Sequence, residues 1–262
     1  MTFVSIGDCC VDAYPYKNVL GGTAFNSAVC AAEFNVGVSI VSAVGDDEKG
    51  KSYNEILNKK GINESHVKVS TKPTSTVHIA LDENNSPVFG KWELGALQDW
   101  KLTKEDIEFI GVHNIAKMIC LKPLEKQFKI FCQTPMENTL KTGDFNGNSQ
   151  YSLKARELDQ YVDGLDIVVK SMSITQTSKI SFLQKLAKEK NKIILVTLGD
   201  KGSICFEGEK IHRQEAIKIE TTNTTGFGDI FITVFLINYF KTKNIPQSLG
   251  EATRHVAGTS HD

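Results

Sequence analysis

Two short stretches hold residue types that could handle a phosphoryl group. In "NTTGFGDIF" (223–231), Gly226, Phe227 and Gly228 lead into Asp229 and then into the apolar run "IFITVFLINYF". The pattern predicts the first turn of a buried helix. Unpaired backbone N–H groups at such a turn carry roughly half a unit of positive charge, and glycine lets an anion approach them closely. That suits a transferring phosphoryl group, whose charge spreads over its oxygens. Asp229 stands where it could accept the proton of an attacking hydroxyl, or it merely stabilises the helix dipole by under about 1 kcal/mol. No Gly-Lys-Ser/Thr follows, so this is not a Walker A loop, and the spacing is not a dinucleotide fingerprint.

The second stretch is "LGGTAFNSAVCAAEF" (20–34), in which Gly21 and Gly22 open a small-residue helix with Asn26 one turn in. A glycine pair permits close backbone approach to a polyhydroxylated ligand, and Asn26 both donates and accepts hydrogen bonds. Asp12, just past the first strand, is an acceptor suited to sugar hydroxyls. Read alone, Asn26 could equally be a helix-surface residue and Asp12 a turn former. The six histidines show no His-x-x-x-His pairing and no neighbouring cysteine cluster, so no protein-held metal site is expected.

These residues need a scaffold. Strand-like runs at 3–7, 38–45, 140–146, 166–172 and 192–199 alternate with helical patterns at 24–34, 48–60, 122–133, 152–162 and 178–190. The alternation predicts an α/β fold, a central mostly parallel sheet with helices on both faces. Asp46 and Asp47 at its entry and Gly61 at its exit mark the second helix. "TSTVHIALDENNSPVFGKWELG" (74–95) breaks the rhythm: two strands and a polar turn at Glu83–Ser86, with no helix following. With 13–20 it should form a small β-flap over the sheet, a lid on a site beyond the strands' carboxyl ends. Phe89 and Trp92 on it could stack on a ligand or pack on neighbours. Residues 1–262 read as one domain plus this flap, whose exposed strands suggest a homodimer through the lid.

Hydrophobic residues make up 40% and charged residues 23% of the 262, with a formal net charge of −1. That balance gives no general attraction to nucleic acid or anionic membranes. No apolar run approaches the roughly 20 residues needed to span a bilayer, and the opening "MTFVSIGDCCVDAY" carries no basic leader. A cytoplasmic protein with six buried free thiols is expected.

Together the motifs resemble the ribokinase/PfkB family of carbohydrate kinases. "IGDCCVD" (6–12) is similar to its first strand, ending in Asp12, and "GGTAFNSA" followed by "VSIVSAVGDDEKG" resembles its first diagnostic pattern. "VTLGDKGS" (196–203) resembles the strand and turn beneath ATP, and "NTTGFGDIF" its second pattern. Within the family the resemblance points to fructoselysine 6-kinases, through "IGDCCVDAYP", "PVFGKWELGALQDWKLTKEDIEFI" (87–110), "DFN" (144–146) and "VTLGDKGSICFEG".

The resemblance implies a ribokinase-like fold and transfer of phosphate from ATP, with Mg²⁺, to the 6-hydroxyl of a ketosamine such as fructoselysine. It implies Asp229 as base and the backbone of Gly226, Phe227 and Gly228 as anion hole. Asp12, Gly21, Gly22 and Asn26 would bind the sugar, and Thr197, Gly199 and Gly202 would line the nucleotide site. Lys117 falls on a strand whose end faces the sugar in the family; it would meet a carboxylate or the new phosphate, or be an ordinary solvated lysine.

There are departures. Asn223 stands where the family has Asp, which removes a charge expected to support K⁺ activation. Phe227 replaces a small residue and would bring a ring near the phosphate path, and Val234 replaces a small residue on the following helix. The family's N-x-x-E motif is not apparent around 168–175, and "ATRHVAGTSHD" falls short of the usual C-terminal helix. These changes raise an alternative, a kinase-like protein that binds sugar or nucleotide with weak or no turnover; a kinase for another small sugar is a further alternative.

Overall fold

The computed structural model describes residues 1–81, 87–147, 150–219 and 225–259. In chain order its strands are β1 (Thr2–Ile6), β2 (Cys10–Ala13), β3 (Asn18–Gly21), β4 (Gly37–Gly45), β5 (Asn63–Ser70), β6 (Thr76–Leu81) and β7 (Pro87–Glu93). Then come β8 (Ile115–Ile119), β9 (Leu140–Asp144), β10 (Ile167–Ser171), β11 (Ile193–Thr197), β12 (Ser203–Glu207) and β13 (Lys210–Gln214). The helices are α1 (Thr23–Ala31), α2 (Glu48–Lys59), α3 (Lys104–Gly111), α4 (Glu125–Gln133), α5 (Asp159–Val162), α6 (Thr177–Lys190), α7 (Phe227–Thr242) and α8 (Ile245–Gly258).

Nine strands form one sheet in the order β13-β12-β11-β10-β9-β8-β1-β4-β5. Its pairs from β5 across to β11 are parallel. The β11–β12–β13 edge is antiparallel because tight turns, not helices, join those strands. Strand residues alternate between two buried faces, which is why the runs read as continuously apolar. On one face Val4, Ile6 and Val168 pack with Ile110 of α3, Phe128 of α4 and Leu183 of α6. On the other, Phe3, Ile167 and Val169 pack with Phe25 of α1, Tyr53 of α2, Phe235 of α7 and Leu249 of α8.

Helix α2 begins as its sequence suggests, with the Asp47 side chain accepting from the Gly50 N–H at 2.8 Å. The predicted helix at 152–162 is instead a 3₁₀ turn followed by the short α5. Strands β5, β12 and β13 and helices α3 and α8 were not expected. Val234 fits its new neighbours fully, 1% exposed within the α7 core. All six cysteines are free and buried, and among the described residues no helix is long and apolar enough to cross a membrane.

The flap is a separate four-stranded sheet in the order β3-β2-β6-β7. It starts earlier than predicted. "IGDCCVD" is not one strand: β1 ends at Ile6, and Asp12 lies on flap strand β2, paired in parallel with β6. The predicted turn at 83–86 lies outside the described residues. Edge strand β7 is tied to the body by Tyr151, whose hydroxyl accepts from the Trp92 N–H at 2.9 Å and donates to the Gly90 carbonyl at 3.1 Å.

Candidate active site

A cavity of about 400 Å³ lies where the flap meets the carboxyl ends of β1 and β8 and the start of α7. Gly226 caps α7 in a left-handed conformation, φ +84°, and accepts the first helical bond, from Ile230 N–H at 3.0 Å. The N–H groups of the first turn therefore lie outside the helix ladder, with Gly228 and Asp229 lining the cavity. The Asp229 side chain is 14% exposed. Asn26 on α1 donates to its Oδ2 at 2.9 Å, and Lys117 Nζ stands 3.8 Å from its Oδ1. Burial pushes the Asp229 carboxyl up to about 7; Lys117 opposes the rise and Asp144 adds to it. A buried carboxylate poised near neutrality, beside a helix N-terminus, is equipped to take a proton from a hydroxyl while that terminus holds an anion.

Asp12 faces the same cavity from β2. It is buried, 6% exposed, and its carboxylate has no hydrogen bond or ion pair among the described residues. Burial first, then the charges of Asp8 and Asp229, push its carboxyl up to about 7. The glycine pair makes room for this arrangement. A Cβ on Gly21 would sit 2.6 Å from Asp12 Oδ2, and one on Gly22, at φ +100°, would sit 2.4 Å from the Asp8 carbonyl oxygen. Tyr53 clamps Gly21 from behind, accepting from its N–H at 3.1 Å and donating to its carbonyl at 2.9 Å. Gly22 lines the cavity and Gly21 does not, so the pair serves the packing of β3 on the Asp8–Asp12 segment as well as any ligand. Asp8 caps α1, accepting from the Ala24 N–H at 3.3 Å, and burial raises its carboxyl too.

The model of pfkB family carbohydrate kinases matches residues 4–255. The chain belongs to this family. It is a carbohydrate kinase, similar along its length to the fructoselysine 6-kinase of Escherichia coli (strain K12), 28% identical over 98% of this chain and 97% of that one. The fructosamine kinase FrlD of Bacillus subtilis (strain 168) is 25% identical over 99% of this chain and 90% of its own. Among solved structures, Arabidopsis thaliana ribokinase complexed with ribose and ATP shares the fold, with a TM-score of 0.77 at 20% identity over 97% of this chain and 91% of that chain.

In this pfkB kinase, Lys117 is no solvated lysine. It is 1% exposed, and its Nζ donates to Ser27 at 2.9 Å and pairs with Asp144 Oδ2 at 3.0 Å. The flap supplies the apolar wall: Val77, Phe89 and Trp92 line the cavity with Leu121 and Tyr151. Trp92 both lines the cavity and packs edge-on against Tyr151, with ring centroids 5.3 Å apart. Phe227 places no ring in the cavity. Its side chain is buried, 8% exposed, and does not line the space. Asn223 lies outside the described residues.

Thr197, Gly199 and Gly202 do not join this cavity. They sit further along the same sheet edge, at the end of β11 and in the turn to β12, where the Thr197 hydroxyl donates to Ser171 Oγ at 2.7 Å. Gly202, at φ +83°, lies against β13, since a Cβ there would meet the Gln214 carbonyl oxygen at 2.0 Å. Asp8, Asp144 and Tyr151 were missed. Asp8 and Asp144 each carried a readable signal, a carboxylate at the carboxyl end of an apolar strand.

Proposed function

We propose that this kinase transfers the γ-phosphate of ATP to a primary hydroxyl of a ketosamine, the 6-hydroxyl of fructoselysine being the first candidate. The observation that carries the reading is the Asp229 carboxylate at the start of α7, facing a cavity that also holds Asp12, which has no partner among the described residues. Asp229 takes the hydroxyl proton, and the backbone of Gly226, Phe227 and Gly228 receives the γ-phosphate. Asp12 and Asp8 accept from sugar hydroxyls. Thr197, Gly199 and Gly202 flank the nucleotide on the neighbouring stretch of sheet edge.

Mg²⁺ would arrive with the nucleotide and neutralise its β- and γ-oxygens. Among the described residues no group of three His, Cys, Asp or Glu side chains is set to hold a metal by itself. The ketosamine assignment is supported by the names of the two curated relatives and by charge. Asp8, Asp12 and Asp229 line the cavity, while Trp92 and Tyr151 wall its flap side. A sugar bearing a protonated amine complements that acidic surplus and offers the aromatic rings a cation.

The test is ADP release from ATP and Mg²⁺ across a panel of ketosamines and plain hexoses, with Asp229→Asn beside the wild type. Sugar-dependent turnover falling about 10²–10⁴-fold in the variant, with ligand binding retained, is expected for a lost general base. Equal turnover in the variant would remove Asp229 from the chemistry. Binding without turnover in the wild type would make the chain a sugar- or nucleotide-binding protein instead.

A further inference from the structure

Lys117 occupies an unusual position for a lysine. It sits in the middle of the sheet on β8, between Ser5 of β1 and Thr142 of β9 in register. Those two small side chains share its face and leave room for its stem beneath α1 and α7. Its ammonium meets three groups from three elements: Ser27 on α1, Asp144 on β9 and Asp229 on α7. A fully buried ammonium is tolerated only when paired and hydrogen-bonded, and the pairing here includes the proposed base.

The Asp229 carboxylate is gripped at both oxygens. Asn26 donates to Oδ2, and Lys117 faces Oδ1. Asp8, Asp12 and Asp144 face the same region from the turn after β1, from β2 and from β9, and the Cys30 thiol approaches from α1. Every one of these titratable neighbours except Lys117 is acidic, so their combined field favours a protonated, and therefore useless, Asp229. Asp144 ties Lys117 in place and also competes for its charge.

Resting on the reading of Asp229 as the base, we propose that Lys117 is a positioning residue for it: the ammonium bridges Asp144 and Asp229, fixes the base's orientation and favours its ionised form against the surrounding acids. Asn26 shares the orienting role. The Lys117 chain reaches the cavity only through these partners and does not itself line it.

The experiment is a carboxyl-carbon NMR titration of Asp229 in the full chain, for the wild type, Lys117→Met and Asp144→Asn, with Asp229→Asn identifying the resonance. The acidic limb of the turnover–pH profile is recorded on the same proteins. An opposite charge at this distance lowers a carboxylate by about 1–3 pH units. Lys117→Met should therefore raise the Asp229 midpoint by at least about one pH unit. Asp144→Asn should lower it, since a like charge goes and the ammonium is freed for Asp229. A purely structural lysine would lower activity without moving the midpoint. An unchanged midpoint in Lys117→Met, or movement in the same direction in both variants, overturns the proposal. Should Lys117→Met not fold, the downward movement in Asp144→Asn decides alone, and its absence is equally fatal. A midpoint that moves while the turnover limb stays still would leave the grip of Lys117 standing and remove Asp229 as the base.

Discussion

Replacing Asp12 by Asn should stabilise the ligand-free protein at alkaline pH, the reverse of what most core substitutions do. The Asp12 carboxyl is 6% exposed, has no partner among the described residues, and is pushed from 3.8 up to about 7, chiefly by burial and then by Asp8 and Asp229. A carboxyl raised in the folded state favours folding when protonated. Its contribution is complete below the unfolded value and is lost as pH rises through the folded one. Carrying the carboxyl from 3.8 to about 7 corresponds to roughly 4 kcal/mol in total. Linkage places roughly 2–3 kcal/mol of that loss between about pH 5 and about pH 8. Asn keeps the shape and removes the titration. Urea unfolding of both proteins at those two pH values should show the variant ahead by about 1–2 kcal/mol at the lower one and by about 4 kcal/mol at the higher. Sugar binding should meanwhile weaken, because the amide replaces one of the two acceptor oxygens with an NH₂ donor and removes the negative charge. A variant less stable than the wild type at about pH 8 would show that Asp12 is solvated or paired, and the account of its burial would fail.

Gly21→Ala should separate binding from folding. The added Cβ would press on Asp12 Oδ2 at 2.6 Å, which the carboxylate can relieve by swinging away, so unfolding free energy should fall by about 1–2 kcal/mol while sugar affinity drops at least about tenfold; calorimetry on the purified variant reads both. Tyr151→Phe removes the hydroxyl that joins Trp92 N–H and the Gly90 carbonyl on β7, leaving the lid edge loose at a cost of about 1 kcal/mol. Its KM for sugar should rise several-fold with a smaller change in kcat, and an unchanged KM would show that the flap is held elsewhere.

The scaffold was legible where one residue's neighbours in sequence are also its neighbours in space. The start of α7 could be placed because glycines stop abruptly at an apolar run, and α2 because Asp47 caps it. The flap hairpin showed itself by lacking a following helix. The reading failed where burial hid a break. The run at 3–7 was read as a strand, but the resemblance carried "IGDCCVD" as one strand ending in Asp12, whereas Gly7, at φ +139°, turns the chain after Ile6 and hands Asp12 to another sheet. Lys117 stayed open between core and solvent for a different reason. A lysine in "HNIAKMIC" has no local feature that distinguishes solvent from core, and its counter-charges, Asp144 and Asp229, come from β9 and α7. Motif grouped Thr197, Gly199 and Gly202, but spacing along the chain could not say that they stand apart from the Asp229 cavity.

The charge pattern ties these observations to function. Lys117 answers Asp144 and Asp229, while Asp8 and Asp12 have no ion-pair partner among the described residues. Burying carboxylates in that state works against folding, as their raised values record, and only Asp8 has a structural return, the Ala24 N–H it accepts. Hydrophobic residues of the same volume would make a more stable seam. The cost becomes intelligible if a ligand brings what the protein withholds: hydroxyl donors for Asp12 and Asp8, and positive charge to relieve the surplus. Binding should then be coupled to proton release, because a ligand that donates to Asp12 favours its ionised form. Titration of the sugar in buffers of differing ionisation enthalpy, near pH 7, should reveal that release directly. It should vanish in Asp12→Asn, where there is no carboxyl proton to displace. Persistence in that variant would move the proton's origin from Asp12 to Asp8 or Asp229, the other raised carboxyls of the cavity.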